Sequence, residues 1–89
     1  MAITVEYEAG YGIGKLMEKA RSFARSNGAK VEGDDRSGKV SNGGLFPFKG
    51  TYHVSGEHVR IAVTQKPLLV GWDFVRAEIL KWLKAHDAP

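Results

Sequence analysis

Cysteine is absent from this 89-residue chain, which excludes disulfides and thiolate-held metals. Long apolar runs are missing too: none approaches the ~18 residues that a membrane span requires. The opening residues, "MAITVEYEAG", lack the basic-then-apolar pattern of a secretory signal. Together these absences set the expectation of a cytoplasmic protein without a transmembrane segment. Charge of one sign is also scarce. The net charge is +3, an excess that accompanies proteins binding no polyanion as readily as those that do. A chain of this length supports one hydrophobic core, so residues 1–89 are expected to form a single domain.

No catalytic constellation stands out. The stretch "EAGYGIGKLMEKA" (Glu8 to Ala20) invites comparison with phosphate-binding loops. A P-loop sets glycine five residues before Gly14-Lys15 and a hydroxyl residue just after them. Those places hold Ala9 and Leu16. The dinucleotide pattern G-x-G-x-x-G fails as well, meeting Lys15 when started at Gly10 and Met17 when started at Gly12. What remains is a glycine turn from strand to helix, with Lys15 near a helix N-terminus. Asp34-Asp35 resembles a carboxylate pair, but the surrounding "EGDDRSG" is a turn signature. His53 and His58 begin a metal site only if a third ligand joins them, and Glu57 is expected on the opposite face. No catalytic, cofactor-binding or metal-ligating residue is therefore assigned, and the chain is not expected to be an enzyme.

What is present is periodicity. Ile3, Val5 and Tyr7 alternate with polar residues as a half-buried strand does. Ile13, Leu16, Met17, Ala20, Phe23 and Ala24 form one helical stripe, which Asn27-Gly28 ends. Two short strands, about 29–33 and 38–42, flank the Asp34-Asp35 turn. Asn42-Gly43-Gly44 then turns or bulges into a longer strand, whose start or edge Pro47 marks. In "LFPFKGTYHVSGEHVRIAVTQK", a turn centred on Ser55-Gly56 pairs Tyr52 with Val59, Gly50 with Ile61 and Phe48 with Val63 on one face. Thr51–Arg60, His53–His58 and Lys49–Ala62 share the other. A ring from Phe48 or Tyr52 is expected to lie across Gly50. Phe48 and Tyr52 point away from the basic face, which disfavours nucleic-acid binding by base stacking.

The closing segment predicts a helix over about 68–85, with Pro67 at its first turn. Leu68, Trp72, Val75, Ile79, Trp82 and Leu83 fall within one arc. Leu69, Val70, Phe74 and Leu80 lie off it, more apolar surface than one sheet contact needs. Wider burial is one account of that excess; an association patch is the other. The element order is β-α-β-β-β-β-α. It predicts an α+β fold, an antiparallel meander sheet with both helices packed on one face.

The segments "YGIGKLMEKARSFA", "FKGTYHVSGEHVRIAV" and "PLLVGWDFVRAEILKWL" together resemble the small polyhydroxyalkanoic acid system proteins, bacterial proteins associated with polyester granules. A histidine of that pattern is replaced here by Tyr11. The resemblance implies a non-enzymatic, granule-associated protein and carries over no functional residue. The residues themselves support an interaction or surface-associating module. Leu69, Val70, Phe74 and Leu80 would contact a protein partner, a second copy or an apolar granule. A small hydrophobic ligand held between helices and sheet, with Trp72 and Trp82 lining the pocket, is the alternative, and nucleic-acid binding a third.

Overall fold

The computed structural model describes residues 2–43 and 47–89. Seven elements run β1 (Ile3–Glu8), α1 (Ile13–Ser26), β2 (Lys30–Gly33), β3 (Ser37–Asn42), β4 (Phe48–Ser55), β5 (His58–Gln65) and α2 (Trp72–His86). The fold is the expected α+β arrangement. One antiparallel sheet has the order β1-β5-β4-β3-β2. The last four strands form a meander, and β1 joins it beside β5. Residue Gly44 of the expected Asn42-Gly43-Gly44 turn, with Leu45 and Phe46, lies outside the described residues. Asn42 ends β3, and β4 starts directly after Pro47.

Alternation decides which face is buried. Val5, Tyr52, Val59 and Val63 are 5% exposed or less. Tyr52 and Val59 pack in one cluster with Ile13, Leu16 and Met17 of α1 and Leu83 of α2, and Val75 of α2 is buried as well. Among the described residues, no buried side-chain polar atom lacks a hydrogen-bond partner. The polar face of the sheet, with Thr4, Glu6, Thr51, His53 and Arg60, is exposed.

The hairpin register differs from the sequence expectation. Tyr52 faces Ile61, Gly50 faces Val63, and Val54 faces Val59. The turn centre is Gly56-Glu57. Only the first of these has positive φ, at 61°, and glycine at that position suits a type II′ hairpin turn. The slip is two residues, so every side chain keeps its face. It nevertheless separates the histidines: His53 faces Arg60 and His58 faces Ser55. A register irregularity falls between Lys49 and Gly50. A Cβ on Gly50 would sit 3.3 Å from the Phe48 ring, so that ring does cover the glycine.

Helix α1 stops where expected. Gly28 has φ 85°; its N–H donates to Arg25 O and the Ala29 N–H to Ala24 O, each at 3.0 Å, the paired closure of a Schellman motif. Phe23, expected within the buried stripe, is 53% exposed. It rests against Trp82 at 5.4 Å between ring centroids.

Helix α2 starts later than expected. Pro67 to Val70 form a turn closed by the Val70 N–H on Pro67 O at 3.2 Å, and the helix follows from Gly71. Leu68, expected on the buried arc, is instead exposed. Leu68 continued the helical arc in the sequence, but the turn takes it out of the helix. Among the described residues, no helix is long and apolar enough to cross a membrane.

Candidate functional site

The glycine turn answers the phosphate question through its own neighbours. The loop's amides already hold carboxylates. Gly10 N–H donates to Asp87 Oδ2 at 2.8 Å and Tyr11 N–H to Asp87 Oδ1 at 3.1 Å, while Tyr7 donates its hydroxyl proton to Oδ2 at 2.6 Å. Ile13 N–H, in the first turn of α1, donates to Glu57 Oε2 at 2.7 Å. A helix N-terminus favours an anion, and the β4–β5 turn supplies one. The Ala9 N–H also donates to Glu57 O at 2.8 Å, so backbone and side chain of one turn residue hold the same loop. The Gly10 amide first, then the Tyr7 hydroxyl and the Tyr11 amide, hold the Asp87 carboxyl below its ordinary range. The same bond raises the Tyr7 hydroxyl above its own. Neither contact carried a local signal in the sequence, because each joins residues far apart in the chain.

The other titratable candidates have structural partners. Asp34 Oδ1 accepts the N–H groups of Arg36 at 2.8 Å and Ser37 at 3.0 Å, an Asx turn that lowers its affinity for a proton. Asp35 pairs with Arg21 at 2.8 Å. His58 Nε2 lies 3.1 Å from Glu6 Oε1, and Arg60 reaches the same oxygen at 3.3 Å. His58 first and Arg60 second hold the Glu6 carboxyl below its usual value. Among the described residues, no group of three histidine, cysteine or carboxylate side chains is placed to hold a metal. Phe48 and Tyr52 lie on the helix-covered side of the sheet, so the exposed face offers neither ring for base stacking.

Two apolar features remain open. The first is the turn before α2. Leu68 and Leu69 are its two central residues, and they are 94% and 101% exposed. The turn is fixed at both ends, by the Val70–Pro67 bond and by Lys66, whose Nζ lies 5.2 Å above the Trp72 ring. Phe74, in the first turn of α2, is 59% exposed. Of the four off-arc residues, Leu69 and Phe74 are thus exposed, whereas Val70 and Leu80 are half-buried. The second feature is a groove of about 680 Å³ between α1 and α2, floored by the sheet. Met17, Phe23, Phe48, Ile61, Ile79 and Trp82 supply its apolar lining. Trp82 is in it as expected, stacked at 4.0 Å on His86. Trp72 is not among the lining residues and packs with Lys66 instead.

Compared with known protein families, characterised proteins and solved structures, the chain matches none.

Proposed function

We propose that this protein is a binding module, not a catalyst, and that the turn before α2 docks it onto an apolar surface. The observation that carries this reading is the full exposure of Leu68 and Leu69 at the centre of a braced turn. A convex pair of leucines suits a soft apolar phase, which needs no preformed pocket. Burying both contributes roughly 3–6 kcal/mol, at about 1.5–3 kcal/mol each, so one turn alone gives weak, reversible attachment. The resemblance to polyhydroxyalkanoic acid system proteins makes a polyester granule in the bacterial cytoplasm the surface of choice. The engagement of Asp34, Glu57 and Asp87 by backbone amides supports a non-catalytic role for these carboxylates.

Co-sedimentation with polyester particles tests the proposal, with neutral phospholipid vesicles as a second arm. The Leu68→Ser/Leu69→Ser variant should keep its thermal midpoint and lose attachment. Equal attachment of variant and wild type contradicts the reading; attachment to vesicles alone reassigns the surface from polyester to lipid.

The groove favours a second reading, a small apolar ligand, because its volume lies within the range of about 300–1,000 Å³ typical of such sites. A ligand seated there would change Trp82 fluorescence.

A further inference from the structure

Phe74, Glu78, Lys81 and Ala85 follow one another at steps of four, three and four along α2. That is the spacing of a two-helix seam. All four are exposed. Glu78, Lys81 and Ala85 form the α2 rim of the groove, and the ion pairs among the described residues include neither Glu78 nor Lys81. The strip is self-complementary in one direction only. With a second α2 laid antiparallel about a two-fold axis between Glu78 and Lys81, each carboxylate meets the other copy's ammonium. Each Phe74 then meets an alanine, a large side chain over a small one. A parallel arrangement sets Glu78 on Glu78 and Lys81 on Lys81, which repels.

We propose that a second copy of this chain docks on α2 through this antiparallel seam, Glu78 facing Lys81 of the other copy and Phe74 filling the space over its Ala85. The arrangement is isologous, so it closes at two copies. It covers the exposed Phe74 ring and places it at the groove end beside Trp82. Four residues from each copy make a small contact, so the dimer is weak and forms with rising concentration. The inference does not depend on the leucine turn, which stays exposed. A dimer would carry two such turns and so attach more tightly to a surface than one copy does.

Sedimentation across a concentration series tests the seam. Glu78→Lys places two cations on the strip and Lys81→Glu two anions. Each variant alone should dimerise about tenfold or more weakly than wild type, and Phe74→Ala should weaken it as well. An equimolar mixture of the two charge variants should regain a dimer containing one of each. A pairing of Glu78 with Lys81 inside one helix gives no such rescue. Leu68→Ser/Leu69→Ser should dimerise as wild type does, which separates this inference from surface docking. A wild-type monomer up to millimolar concentration, single variants that associate like wild type, or a mixture that stays monomeric would each overturn the proposal. Thermal melts of the variants show whether they are folded; both charged positions are exposed, so the midpoints should stay close to wild type.

Discussion

The Tyr7 hydroxyl reaches Asp87 Oδ2 across 2.6 Å, joining the first strand to the end of the last helix. Asp87 is the C-cap residue of α2, and the same carboxylate binds two amides of the glycine turn. Three segments therefore meet on one side chain. Its folded-state proton affinity is depressed, so its contribution is present above the unfolded value of about 3.9 and lost as pH falls through the lower folded value.

Asp87→Asn should consequently be less stable than wild type at neutral pH. The difference should shrink in acid, once the wild-type carboxylate is protonated as well. Thermal melts of both proteins from pH 7 down to pH 2 check this, with a constant difference as the contrary result. Glu6, Glu32 and Asp34 are depressed too, so the wild type should still lose stability in acid when Asp87 is replaced.

Leu83 is 2% exposed and packs in one cluster with Leu16, Tyr52 and Val59. Leu83→Ala removes contacts to both α1 and the sheet and should cost about 2–5 kcal/mol. For a small domain that is a large part of the whole stability. Chemical denaturation gives the figure directly. A loss below 1 kcal/mol would place α2 elsewhere.

Two glycines should respond with opposite signs. Gly56, at φ 61° in the β4–β5 turn, holds a conformation that costs an L-residue about 1–2 kcal/mol, so Gly56→Ala should destabilise. Gly14 lies within α1, and a Cβ there meets nothing within 4 Å. Gly14→Ala should stabilise by about 0.5–1 kcal/mol through helix propensity. Paired melts of the two variants test the turn and the helix at once.

The legible parts of this fold were those written in local period. Leu16 and Met17 on a helical stripe, and the alternation of Val59, Ile61 and Val63, fixed which faces are buried. A period of two cannot separate a register from its neighbour two residues away. The choice between them rests on which turn position holds glycine, and Gly56 comes first in its turn rather than second. The start of α2 was hidden for a related reason: Leu68 extends the apolar arc of the helix while lying, with Leu69, in a turn. Of the expected association residues, Leu69 and Phe74 stand exposed, but Val70 and Leu80 are partly covered. The carboxylates that fill the glycine turn were not legible at all. Asp87 and Glu57 reach it only once the sheet and both helices are assembled.

The surface-docking role is tested most directly by leucine-methyl NMR during titration with polyester particles. The methyl signals of Leu68 and Leu69 should broaden first, while those of Leu16 and Leu83 in the core hold their width. Broadening that spares the turn, or that appears nowhere as particles are added, would contradict the account.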